Sequence, residues 1–127
     1  MPIQRLKPDS TALLVIDVQD RLLHTIHQHE RLVHHCGILC RAAPMLGMPT
    51  VVTEQYVRGL GHTVPALVEA LAPQTPVFEK TRFSALTPEV RTHLTATRCS
   101  SVLVCGIEAH VCVLQTVLDL CASGWGV

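Results

Sequence analysis

Val102-Leu103-Val104-Cys105-Gly106-Ile107-Glu108-Ala109-His110-Val111-Cys112 is an apolar run that breaks at a glycine and leads into an amphipathic helical pattern. It reads as a buried strand, a tight turn and a helix with a cysteine at its opening. A helix N-terminus carries unpaired N–H groups and partial positive charge, which favours a thiolate. The same N–H groups suit the oxyanion formed when a thiolate attacks a carbonyl. Cys112 is therefore the candidate nucleophile.

Working outward, the same strand-then-helix grammar recurs. Thr11-Ala12-Leu13-Leu14-Val15-Ile16 is a continuous apolar run ending at Asp17, as expected of a strand buried on both faces. A long helix is predicted over Glu30 to Leu46, disturbed at Pro44 and ended by Gly47 and Pro49. Pro49 to Glu54 reads as the second strand, Gln55 to His62 as a loop, and Thr63 or Pro65 to Leu71 as a short helix. Pro76 to Glu79, leading to Lys80, is the third strand. Thr87 caps a helix that has Pro88 at its first position and runs to Thr97. Ser101 to Cys105 is the fourth strand and Ala109 to Ser123 its helix. Gly124-Trp125-Gly126-Val127 resembles a connection into a fifth. The expected architecture is a three-layer α/β/α sandwich with a mainly parallel, Rossmann-like sheet, cut off after the fourth strand and its helix.

Composition narrows the function. The 127 residues suffice for one domain, and 48% hydrophobic with 3% aromatic residues predicts an aliphatic core. Ten Lys and Arg balance ten Asp and Glu, so no phosphate-neutralising surface is expected and nucleic acid is not the expected partner. No segment has the length of a membrane span and Met1 to Pro8 lacks a signal-like apolar core, so a cytoplasmic setting is expected. The six cysteines include no Cys-x-x-Cys pair. Five are read as small core residues in a reducing compartment and Cys112 as the reactive one.

In a parallel α/β sheet, ligands bind beyond the carboxyl ends of the strands. Asp17, Lys80 and the turn to Cys112 all fall there, although they are far apart in sequence. A carboxylate can take the proton from a thiol and return it to a leaving amine. An ammonium beside them favours both anions and can orient the substrate. Gln19, Gln55, Tyr56, Phe83 and His110 are the expected pocket residues. His24, His27 and His29, with His34-His35, are read as a polar helix face rather than a metal site, because nothing nearby completes a ligand set.

Leu14-Val15-Ile16-Asp17-Val18-Gln19, Glu79-Lys80-Thr81-Arg82-Phe83-Ser84-Ala85-Leu86 and the Cys105 to Cys112 segment together closely resemble the isochorismatase-like cysteine hydrolases. Thr53-Glu54-Gln55-Tyr56 with Gly59-Leu60-Gly61 is similar to the branch of isochorismatase domain-containing proteins. The resemblance covers essentially the whole chain. It implies Asp17 as general base, Lys80 as assisting cation and Cys112 as nucleophile. It also implies a cis peptide at Ile107-Glu108, aiming the Glu108 N–H, with that of Cys112, at one oxyanion. The implied reaction is hydrolysis of a small amide or related acyl compound through an acyl-thioester.

Two departures qualify the resemblance. Nicotinamidase-type relatives carry an Asp and paired histidines after the second strand; here that region is Glu54-Gln55-Tyr56 with only His62 beyond, so neither metal nor other cofactor is expected. The family also continues through further elements, so residues 1–127 read as a hydrolase domain lacking its C-terminal part, and a homo-oligomer is expected. The alternatives are a catalytically weak or inactive scaffold of the same fold, and a vinyl-ether hydrolase like isochorismatase, which does not need the thiol.

Overall fold

The computed structural model describes residue 3 and residues 5–127. A 3₁₀ turn, Pro8–Ser10, leads into β1 (Thr11–Ile16), followed by α1 (Asp20–Leu23), α2 (His29–Met45), β2 (Thr50–Gln55), α3 (Val57–Leu60), α4 (Pro65–Ala70), β3 (Val77–Lys80), α5 (Pro88–Thr97), β4 (Ser101–Gly106) and α6 (Leu114–Ala122). The strands form one sheet in the order β3-β2-β1-β4, and every pairing is parallel.

β1 lies at the centre and explains the uninterrupted apolar run: all six of its residues are buried. Alternation sends Leu13 and Val15 to one face and Ala12, Leu14 and Ile16 to the other. The first face meets Cys36, Cys40 and Ala43 of α2 and Leu67 and Ala70 of α4. The second meets Val90 and Leu94 of α5 and Leu120 of α6. Each fully buried Leu, Val or Ile contributes about 1.5–3 kcal/mol relative to exposure, so these two layers hold the sheet's edges in register. The three-layer α/β/α expectation is met.

Local signals mostly hold, with instructive exceptions. The Thr87 hydroxyl accepts from the Val90 N–H at 3.3 Å and Pro88 opens α5, as the cap pattern predicts. The Gln55–His62 loop contains a short helix, α3, entered through Tyr56 in the left-handed region at φ 38. A Cβ on Gly59 would strike the Tyr56 ring, so glycine lets that ring fold back on the turn. The helix after β4 begins with a π-helical turn, Ala109–Val113, in which both Val111 and Val113 N–H groups donate to the Glu108 carbonyl. His24 and His27 follow α1 in a turn and do not form a helical pair. Cys121 is exposed on α6, contrary to its reading as a core residue.

The final residues reach the outer edge of β4. Gly126 forms a parallel bridge to Ser101, the Val102 N–H donates to the Gly126 carbonyl at 2.8 Å, and the Gly126 N–H donates to the Ser100 carbonyl at 2.9 Å. This strand-like pairing agrees with the connection that the terminal glycines suggest.

Candidate active site

β1 ends in Asp17, whose φ of 55 turns the chain sharply out of the strand. Next to it, β4 ends in Gly106 at φ 128, where a Cβ would collide with the Ile16 backbone. Only glycine permits this approach, and the Ile107 N–H then donates to the Ile16 carbonyl at 2.9 Å. The peptide Ile107–Glu108 is cis. The two strand ends are thereby laced together, and the Cys112 turn is set beside Asp17.

The Asp17 carboxylate is completely buried and fully engaged. Its Oδ2 accepts from Lys80 Nζ at 2.7 Å, and its Oδ1 accepts from the Thr53 hydroxyl of β2 at 2.8 Å. Lys80 Nζ also reaches Gln55 Oε1 at 2.9 Å and the carbonyls of Arg82 at 3.0 Å and Phe83 at 2.9 Å. An ammonium has three donors, so protein acceptors exhaust them. The expectation that Lys80 orients substrate is therefore revised. It fixes Asp17, Gln55 and the turn that presents Phe83.

Cys112 lies on the α5–α6 side of the sheet and is 6% exposed. Burial, the Asp17 charge and hydrogen bonding to Asp17 outweigh Lys80 and push its thiol up to about 11. This overturns the expectation of a thiolate held low by a helix N-terminus. Cys112 is the fourth residue of the π-helical turn, and the buried carboxylate beside it favours the protonated form. The resting thiol carries its proton, with the acceptor for that proton in place.

Gln55, Tyr56, Phe83, Glu108 and Cys112 line one cavity of about 210 Å³, together with Leu22, Leu60 and Val111. Two predicted pocket residues fall outside it. Gln19 is fully buried; its amide donates to the Gln55 and Gly61 carbonyls at 2.8 and 2.7 Å, and its Oε1 accepts from the Gln55 N–H at 2.6 Å. It positions the loop behind the cavity. The His110 side chain is 77% exposed and points towards Glu108 at 3.8 Å. Larger clefts of about 480 and 710 Å³ lie along β3, the first of them lined by Lys80, but neither reaches Cys112. Chemistry rather than volume selects the smaller one.

Sequence reasoning missed Thr53 and Thr116. The Thr116 hydroxyl donates to the Cys112 carbonyl at 2.6 Å and accepts from the Ala85 N–H at 2.8 Å, tying the Cys112 turn to the Lys80 loop. Its position four residues after the cysteine in a helical pattern was the available signal. Thr53 stands in an apolar strand with nothing local to mark it.

Glu54 lies near the end of β2 and is almost fully buried. One of its oxygens accepts from the Thr63 N–H and hydroxyl, and the other lies 3.0 Å from His62 Nδ1. Burial raises its pKa, but these hydrogen bonds prevail and hold it below the ordinary range. Among the described residues, no group of three His, Cys, Asp or Glu side chains is placed to hold a metal ion. No helix among them is long and apolar enough to cross a membrane.

Comparison with known proteins agrees with this architecture. The isochorismatase domain family matches residues 11–127. The secreted isochorismatase effector Isc1 of Phytophthora sojae is 46% identical over 127 residues, covering 97% of this chain and 60% of that protein. Isochorismatase domain-containing protein 2 of Bos taurus is 39% identical over 122 residues, covering 94% and 57% respectively. Among solved structures, the MAR1 ribonuclease of Caenorhabditis elegans is 44% identical with a TM-score of 0.90, covering 96% of this chain and 62% of that one. The chain thus spans roughly 60% of the length of the curated relatives it matches.

Proposed function

Because the chain belongs to the isochorismatase domain family of hydrolases, we propose that its site hydrolyses a small amide or related acyl compound through a covalent thioester on Cys112. The observation that carries this reading is the juxtaposition of the buried Cys112 thiol with the Asp17 carboxylate, itself held by Lys80 and Thr53.

A thiol held up to about 11 is a poor spontaneous nucleophile, so its proton must leave as the new bond forms. Asp17 accepts that proton while Sγ attacks the carbonyl carbon, and Lys80 keeps the carboxylate in place throughout. The carbonyl oxygen gains negative charge and is received by the backbone N–H groups of Glu108 and Cys112. Collapse of the tetrahedral adduct breaks the C–N bond. Asp17 returns its proton to the departing nitrogen, releasing ammonia or an amine and leaving the acyl-thioester. Asp17 then takes a proton from water as the hydroxide adds to the thioester. The C–S bond then breaks, Asp17 returns its proton to Sγ, and the acid departs, leaving the thiol and the carboxylate as they began.

The cavity's makeup supports a small-molecule substrate. Three structural relatives bear the name ribonuclease, but RNA binding draws on clustered cationic surface. Here the net charge is zero and the carboxylate of Glu108 borders the cavity. Buried thiols at Cys36 and Cys40 support a reducing, cytoplasmic setting. Exposed Leu114 and Leu118 on α6 support a homo-oligomer.

The test is a panel of small amides, a vinyl ether and an RNA oligonucleotide, assayed with wild type and Cys112→Ala. Amide hydrolysis lost in the variant is the expected outcome. Vinyl-ether or RNA turnover unaffected by Cys112→Ala would overturn the mechanism, and inactivity throughout would favour a scaffold.

A further inference from the structure

The wall of the cavity over Cys112 contains Leu22, Leu60, Phe83 and Val111, with Tyr56 and Gln55, and a single carboxyl side chain, Glu108. The charges beneath it cancel, since Asp17 and Lys80 form a fully buried pair at 2.7 Å. The cations nearest the site are spent or displaced. Lys80 has no donor left over. Arg82 donates to the Leu86 carbonyl at 3.2 Å and lies 3.5 Å from Asp119. Arg58 and Arg82 line the neighbouring cleft on β3 rather than this cavity. His110, the remaining group beside Glu108, is mostly in solvent and stands outside the wall.

From this arrangement we infer that Glu108 is a specificity-determining residue. Its side chain makes the Cys112 cavity a charge filter that admits small neutral or cationic acyl compounds and turns carboxylates away. The inference deepens the proposed hydrolase reading and rests on it for the word substrate. The size of the cavity sets the scale. About 210 Å³ is below the roughly 300–1,000 Å³ that holds a drug-sized ligand, so the acyl portion is a few carbons. Apolar walls desolvate whatever enters. A carboxylate would lose hydration there with no cation to replace it, while meeting a like charge at the rim. Glu108 thus has two separable roles: in the proposed reaction its backbone N–H receives the oxyanion, and its side chain sorts what arrives.

The test reads the filter without requiring turnover. Wild-type protein is alkylated in parallel with iodoacetamide, which is neutral, and iodoacetate, which is anionic, at one fixed pH. Labelling is followed at each cysteine by tandem mass spectrometry. Exposed Cys121 in the same chain supplies the intrinsic ratio of the two reagents. Relative to Cys121, Cys112 is expected to prefer iodoacetamide by about fivefold at low salt, the preference shrinking at high salt because Glu108 is partly exposed. Glu108→Gln should bring the preference close to that of Cys121. If the variant folds poorly, the salt dependence of the wild type alone decides. A Cys112 ratio equal to that of Cys121, a preference for iodoacetate, a bias unchanged in Glu108→Gln, or no alkylation of Cys112 by either reagent would each overturn the inference. A clear bias in a protein that hydrolyses no amide would instead count against the hydrolase reading and leave the filter standing.

Discussion

The Lys80 ammonium and the Asp17 carboxylate meet at 2.7 Å with both side chains removed from solvent, although they come from the ends of strands separated by β2. The pair spans that gap because Thr53 and Gln55 of β2 supply polar atoms along the way. A charge pair this deep is a commitment of the fold. Each partner is tolerable only while the other is present.

Lys80→Met should therefore lower unfolding stability by about 3–5 kcal/mol, measured by denaturant titration, because it strands a buried carboxylate. Asp17→Asn/Lys80→Met should recover much of that loss while remaining inactive. A single variant as stable as wild type would show that the pair is hydrated in solution.

Asp17→Asn removes the charge that holds the Cys112 proton on. The midpoint for alkylation by iodoacetamide should fall below about 11, while amide hydrolysis drops by about 10²–10⁴. The thiolate becomes easier to form and the enzyme becomes worse, because the proton no longer has a carrier to the leaving group.

Gly106→Ala should destabilise the protein by about 2–4 kcal/mol. It forces a Cβ onto the Ile16 backbone at a φ unfavourable to L side chains. Differential scanning calorimetry would report the loss. Ala85→Gly, on the opposite loop, should not reproduce the accompanying displacement of Cys112 in a crystal structure of the variant.

Glu54 gives the fold an acid-sensitive clip. A carboxyl held below its ordinary 4.5 in the folded state stabilises the protein above that pH and loses its contribution as the pH falls through the folded value. Glu54→Gln should be less stable at neutral pH and should show a flatter stability profile below about pH 4.5. Urea unfolding across pH 3–7 checks the sign.

Much of this was legible in the sequence, for identifiable reasons. The apolar run of β1, the Thr87-Pro88 cap and the glycine at the end of β4 are local features with local causes. The strand ends of a parallel sheet converge by topology, which is how Asp17, Lys80 and Cys112 could be grouped before any coordinates. What the sequence could not convey was competition at a distance. The state of the Cys112 thiol depends on a carboxylate that lies 95 positions away. Burial beside that carboxylate outweighs the helix-end argument. Gln19 and Lys80 carry the right chemistry for a pocket, yet protein acceptors consume it. Thr53 became visible only once its partner Asp17 was in place.

The most direct measurement is acid-quenched peptide mass spectrometry during turnover of a small amide. The predicted result is a mass increment equal to the substrate's acyl group on the peptide containing Cys112, rising and then decaying as substrate is exhausted. Turnover that proceeds with no acyl group ever found on Cys112, and at the same rate in Cys112→Ala, would contradict the account.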